Sequence, residues 1–164
     1  MEGELAPLAL AQDMALVPWS PLKNGFLSGK YRRGDRVTDS ARLARVGAPT
    51  EDEYVVIDAV AAVADELGTT SAAVSLAWLR AREGTVVPII GARRLDHLES
   101  NLAGLQVILS PEHLRRLDEV SAPTLGYPAP MHGALRAMLQ FAGTTVDGEA
   151  STVYPPLVQS DVRY

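Results

Sequence analysis

Pro18-Trp19-Ser20-Pro21-Leu22-Lys23-Asn24-Gly25-Phe26-Leu27-Ser28-Gly29-Lys30-Tyr31 gathers two prolines, two glycines and three aromatic side chains into fourteen residues, together with both lysines of the chain. Just before it, Ala15-Leu16-Val17 is apolar on both faces of an extended chain, which suits a buried parallel strand. Ser20 to Gly25 then has turn chemistry. The expected arrangement is a strand that ends near Pro18, followed by a loop. In that loop Gly25 and Gly29 allow close backbone approach, and the amides and Lys30 supply donors and charge.

A second stretch repeats the design. Thr85-Val86-Val87-Pro88-Ile89-Ile90 is apolar and β-branched, carries a proline near its end, and runs into Gly91. Helical patterns surround the two runs. Residues 2–13 read as a short helix that starts near Leu5, because Pro7 is tolerated only in a first turn. Thr50 and Glu53 form a capping box ahead of a stripe of Val56, Val60, Val63 and Leu67, with Gly68 as the terminal cap. Thr70 opens a helix bearing Val74, Ala77, Trp78 and Ala81, closed by Gly84. Trp78 reads as core. Leu95, Leu98, Leu102 and Leu105 mark another helix. Ser110-Pro111 starts a last one, on which Leu114, Leu117 and Val120 face inward. Residues 32–50 read as a long irregular connection. Residues 122–164 hold five prolines and four glycines and read as an irregular tail with one short helix at 133–141.

Strands alternating with helices predict right-handed βαβ units and a parallel sheet. Two strands that want cover on both faces do not make a stable sheet alone. Either they pair with another copy, or the rest of the sheet lies in a segment this sequence does not contain. The flanks of residues 15–18 and 85–90 are therefore expected to be exposed or self-paired.

Composition narrows the function. Hydrophobic residues at 47% and charged residues at 21% describe a globular chain. A net charge of −5 does not favour nucleic acid or an anionic membrane as partner. No apolar stretch approaches the roughly 20 residues that span a bilayer. The absence of cysteine removes thiolate metal sites and nucleophiles and suits a cytoplasmic location. Three scattered histidines offer no metal spacing, and His113 and His132 read as surface residues.

The first stretch resembles the seventh strand and following loop of aldo-keto reductases. Val87-Pro88-Ile89-Ile90-Gly91-Ala92-Arg93, with Leu98, Asn101 and Leu102, is similar to the family's eighth strand and last barrel helix. Gly143 to Gly148 looks like a tail segment of one bacterial branch. The resemblance covers nearly the whole chain, from the helix before strand seven. It implies an α/β fold and a partial (β/α)₈ barrel: the last two βα units over residues 1–121, plus a C-terminal helix and a tail at 122–164. Loops after strands seven and eight often hold phosphate in such barrels.

What the resemblance implies about the site follows residue by residue. Trp19 would stack on a nicotinamide ring. Ser20, Pro21, Leu22, Asn24, Gly25, Leu27 and Lys30 would surround the pyrophosphate, and Arg42 would fold over the cofactor. Ile90, Gly91 and Ala92 would lead to Arg93, whose guanidinium fork suits the 2′-phosphate of NADP. His97 stands where the family usually has Gln or Arg. Ser100 stands where Glu or Asp usually meets adenine, and Asn101 keeps the adenine-side amide.

The family reduces aldehydes and ketones with a tyrosine as proton donor, tuned by lysine and aspartate, while a histidine orients substrate. Its Asp and Tyr lie five apart, and no Asp here has a Tyr five residues later. No catalytic or metal-binding residue is therefore assigned. The implied function is an NADP(H)-dependent oxidoreductase of the family, present as a C-terminal portion that holds cofactor and meets a carbonyl substrate only when completed by the N-terminal portion. A non-catalytic nucleotide-binding or regulatory module, or a non-functional truncated product, are the alternatives. The isolated chain is expected to hold NADP weakly or not at all. Tyr127 and Met131 are candidates for covering a pocket mouth, or else part of a surface tail.

Overall fold

A computed structural model of the 164-residue chain describes residues 2–34, 47–127, 143–146, 148–150 and 153. They fall into two compact units, Met1–Ala122 and Pro123–Tyr164. Arg42, Met131, His132 and the helix expected at 133–141 lie outside the described residues.

In the first unit the described helices are α1 (Leu5–Ala11), α2 (Glu51–Leu67), α3 (Ser71–Arg80), α4 (Leu95–Ala103) and α5 (Pro111–Ser121), with a 3₁₀ segment at Lys23–Ser28. None is long and apolar enough to cross a membrane. The signals at α2 work as the sequence predicts. Thr50 Oγ1 accepts from the Glu53 amide, Glu53 reaches back to the Thr50 amide, and Gly68 ends the helix at φ 61°. Thr70 caps α3 by accepting from the Ala73 amide. At α5 the Ser110 cap has an unexpected partner. The imidazole Nδ1 of His113 accepts from the Ser110 amide at 3.3 Å, and only 16% of its side chain is exposed. His113 is thus no plain surface residue, since an imidazole at the third helical position fills the place Glu or Gln takes in a capping box.

Val60, Val63 and Ala64 of α2, Val74 of α3 and Leu117 of α5 form the main cluster, with Leu27 and Trp78 packed against it. α3 is buried all round from Ser71 to Ala77, wider than the expected stripe, because its small side chains let neighbours close on every side. Trp78 is only partly buried. Its indole N–H donates to Asp118 at 2.7 Å, and Arg82 lies 4.2 Å from its ring centroid. On α5 Leu117 is buried, while Leu114 and Val120 are half-covered. On α4 the leucines at 95, 98 and 102 stay exposed, and the buried residue of that helix is Asn101.

The two apolar runs lie side by side in parallel. Leu16 N–H donates to Thr85 O at 2.8 Å, Val87 N–H to Leu16 O at 2.8 Å, and Ile89 N–H to Pro18 O at 3.0 Å. The pairing consists of two separate bridges, Leu16 with Val86 and Trp19 with Ile89. Pro18 explains the gap: it has no N–H to give the next rung. In the second unit, described by itself, β1 (Thr145–Val146) pairs antiparallel with β2 (Glu149–Ala150). The tail is therefore not wholly irregular. Gly148 turns the hairpin at φ 82°.

A smaller cluster of Phe26, Tyr31 and Ile57 pins the ends of the Lys23–Tyr31 segment onto α2. The rings of Phe26 and Tyr31 meet edge to face at 5.1 Å. The Tyr31 hydroxyl is buried without a hydrogen-bond partner among the described residues. An unmade buried hydrogen bond costs about 1–3 kcal/mol. Tyr31→Phe is thus expected to leave the thermal midpoint unchanged or raise it; a fall of several degrees in a melting experiment would show that the hydroxyl has a partner in solution.

Candidate functional site

Each strand run delivers its loop to the same place. After Trp19 the chain turns sharply. Ser20 O accepts from the Lys23 amide at 2.9 Å, and Leu22 O accepts from the Gly25 amide at 2.8 Å. Ser20, Lys23 and Asn24 all take positive φ, at 57°, 46° and 55°, and Gly25 and Gly29 follow at 94° and 87°. Left-handed backbone at non-glycine residues costs of order 1 kcal/mol each and persists only where the surroundings fix it. Here Lys23 Nζ pairs with Glu53 of α2 at 2.7 Å. Arg33 pairs with Glu51 and Asp58 and lies over the Tyr54 ring. Gly29 meets the start of α3, where a Cβ would stand 3.3 Å from Ser71 Oγ.

The facing wall comes from the second run. Ile90, Gly91 and Ala92 lead to Arg93 and to the opening of α4. Arg94 is bound by Asp96 at 2.6 Å, which holds the Asp96 carboxyl below its ordinary pKa. His97, Ser100 and Asn101 recur at helical spacing along one side of α4. Ser100 Oγ shares a 2.8 Å hydrogen bond with Thr70 Oγ1, the cap of α3. Asn101 is 6% exposed, and no hydrogen bond within the described residues engages its side-chain amide.

Between the walls runs a groove of about 690 Å³. Trp19, Ser20, Pro21, Leu22, Asn24, Gly25 and Lys30 line one side. Ile90, Gly91, Ala92, Arg93, His97, Ser100 and Asn101 line the other. The structure thus brings together fourteen of the residues singled out in the sequence. Leu27 is not among them. It turns inward, packs on the α2–α3–α5 cluster and borders a separate apolar crevice of about 90 Å³. Burial against α2 explains this, since an apolar side chain gains more there than beside a polar groove. Ser28, Gly29, Ala72 and Ile89 also line the groove. The glycine and Ile89 lay within the quoted motifs; for Ala72, at the start of α3, the sequence carried no signal.

No carboxylate among the described residues lines the groove. Among the described residues none pairs with Lys30 or Arg93, in contrast to Lys23 and Arg94. Two cations that are unpaired among the described residues, with the amide of Asn101 as both donor and acceptor, suit a phosphorylated ligand with a polar ring edge. No group of His, Cys, Asp or Glu among the described residues could hold a metal ion.

The wall itself depends on pH through Glu53. The bond from Lys23 and then that from the Thr50 amide hold its carboxyl below the ordinary 4.5. A carboxyl lowered on folding contributes stability that is full above its ordinary value and lost as pH falls through the folded one. Glu66, Asp96 and Glu112 are lowered in the same way by arginines. The thermal midpoint is expected to hold steady from neutral pH to about 5 and to drop below that, less steeply in Glu53→Gln. Melting curves that do not move between neutral pH and pH about 3 would contradict this.

Comparison with known proteins supports the family that the motifs suggest. Residues 1–122 match the sequence profile of the "Aldo/keto reductase family". A putative aryl-alcohol dehydrogenase of Saccharomyces cerevisiae is 32% identical over 136 residues, 80% of this chain and 36% of that protein. An aryl-alcohol dehydrogenase [NADP(+)] of Phanerodontia chrysosporium is 31% identical over 148 residues, with 81% and 36% covered. This chain therefore spans little more than a third of the length of these curated relatives. Among solved structures, a thermostable aldo-keto reductase in complex with the inhibitor epalrestat superposes with a TM-score of 0.52 at 25% identity, over 71% of this chain and 33% of that one. That likeness implies the (β/α)₈ barrel class. With its two strand ends, its glycine-bearing loops and these relatives, the chain belongs to the aldo/keto reductase family.

Proposed function

We propose that this chain is the nucleotide-holding C-terminal part of an NADP(H)-dependent oxidoreductase of aldehydes and ketones, built on the last two βα units of the barrel. The observation that carries the reading is the groove, where Lys30, Arg93 and Asn101, itself a buried residue, converge with no carboxylate among the described lining residues. The residues fit the cofactor. Lys30 and the Ser20–Gly25 turns hold the pyrophosphate side, Arg93 with His97 takes the 2′-phosphate, Asn101 and Ser100 take the base, and Trp19 offers a stacking face. When bound, the dinucleotide supplies the hydride. Proton donation is not assigned to any residue here, since no tyrosine follows an aspartate at the family's five-residue interval. Turnover then requires the earlier strands of a family barrel. The cysteine-free composition supports a cytoplasmic setting.

The test is a titration of the full chain with NADP⁺ and NAD⁺, followed by tryptophan fluorescence and calorimetry. Weak saturable binding is expected, tighter for NADP⁺ by about tenfold or more. Saturable binding of the two nucleotides with equal affinity would reject the reading, and no binding of either would confine it to the chain completed by the earlier strands. Added aldehyde is expected to cause no consumption of NADPH. Selective binding without turnover also fits a non-catalytic nucleotide-binding module; recovery of turnover on adding the earlier strands of a family member separates the two.

A further inference from the structure

Among the described residues three titratable side chains line the groove: Lys30 on one wall, Arg93 and His97 on the other. Lysine and arginine are cations throughout the neutral range. Imidazole is the side chain whose charge changes between pH 5 and 8. His97 lies half-buried in the first turn of α4. Among the described residues no hydrogen bond or ion pair occupies its ring nitrogens, in contrast to His113, whose Nδ1 serves the Ser110 amide. The charges around His97 come from four places. On α4 the Asp96 carboxyl accepts from the His97 backbone amide, but its oxygens are taken by Arg94 at 2.9 and 2.6 Å. Glu99 is exposed. From α3, which packs on α4, the charged side chain is Arg80, held at the far end of α4 by Gly104 O at 3.0 Å. The approach to α4 brings Arg93, and the loop wall brings Lys30. An anion in the groove therefore meets two fixed positive charges and one that pH can add.

We propose that His97 sets nucleotide specificity through its proton: with the imidazole charged, the wall beside Arg93 selects a 2′-phosphorylated adenylate more sharply than it does at alkaline pH. The inference rests on the nucleotide reading and deepens it. The coupling runs both ways. A ligand that prefers the protonated ring binds more tightly as pH falls, and takes up a proton when it binds. A phosphate monoester is largely a dianion above its second pKa of about 6. Between pH about 6.5 and about 8.5 the charge that changes is therefore the protein's and not the ligand's. A nucleotide without the 2′-phosphate brings no dianion to this wall, so its affinity stays level across the same window. A glutamine or an arginine at position 97 would make the selection constant; histidine makes it variable.

The full chain is titrated with adenosine 2′,5′-bisphosphate and with 5′-AMP, which differ only in the 2′-phosphate. Calorimetry reads affinity, and the C2–H proton signals of the three histidines, assigned with His97→Gln, read protonation. Saturating bisphosphate is expected to raise the pH midpoint of the His97 signal by about one unit, a tenfold coupling, and to leave the His113 signal where it was. Affinity for the bisphosphate is expected to rise about fivefold from pH about 8.5 to about 6.5. In His97→Gln that rise is expected to shrink to within about twofold, and His97→Lys is expected to bind tightly at both ends of the window. A merely structural role for His97 would instead lower affinity equally at every pH. If the bisphosphate saturates the chain and neither the midpoint nor the affinity moves, the proposal is overturned and the nucleotide reading stands. It is equally overturned if 5′-AMP moves the His97 signal as far as the bisphosphate does. If neither adenylate saturates at about 10 mM, it falls for this chain together with nucleotide binding by this chain alone.

Discussion

Arg93→Leu is expected to abolish most of the preference for a 2′-phosphorylated nucleotide, lowering affinity for NADP⁺ by about 10- to 100-fold while leaving that for NAD⁺ nearly unchanged. The reason lies in pairing. Arg94, its neighbour, is already held by Asp96, and Lys23 by Glu53. Arg93 has no carboxylate partner among the described residues, so its fork is available to a dianion. Hydrogen bonds to charged groups contribute about 1.5–3 kcal/mol, which is the stated ratio. Leucine keeps most of the side-chain bulk, and the position is exposed, so folding is not at issue. Calorimetry with the two nucleotides in parallel measures the effect. An equal loss for both would mean that Arg93 only supports the wall.

The second large effect concerns stability. Leu117→Ala is expected to lower unfolding free energy by about 2–5 kcal/mol, a large share of the 5–15 kcal/mol typical of a domain. Leu117 is 3% exposed and joins α5 to the Val60–Val63–Val74 cluster. It also borders the apolar crevice beside Pro21 and Trp78, so truncation enlarges an existing void rather than one that could close. Urea titration reads the loss directly. A change below about 1 kcal/mol would show that α5 repacks freely.

Much of the site was legible because it rests on local chemistry. Proline, glycine and lysine spacing after two apolar runs located both walls, and caps at Thr50, Thr70 and Ser110 located three helices. What the sequence could not give was set by contacts distant along the chain. Leu27 sits in a groove motif, yet α2 draws it inward. Ala72 reaches the groove only because α3 starts against Gly29. Periodicity marked a leucine stripe on α4, but not that it stays exposed and that the polar Asn101 is buried instead. His113 took a capping role through an acceptor that residue-type preferences do not reveal.

The gap in the ladder at Pro18 has a mechanical consequence. The two walls are carried on separate strands, like the jaws of a calliper; near the jaws one strand-to-strand backbone bond among the described residues, Ile89 to Pro18, joins them, and the start of α3 braces both through Gly29 against Ser71 and the Thr70–Ser100 bond. The strand pair therefore has one rung fewer at the mouth of the groove, and α3 carries the rest of the alignment. A molecule that bridges them takes over the function of the absent rung, so grip and stiffness rise together.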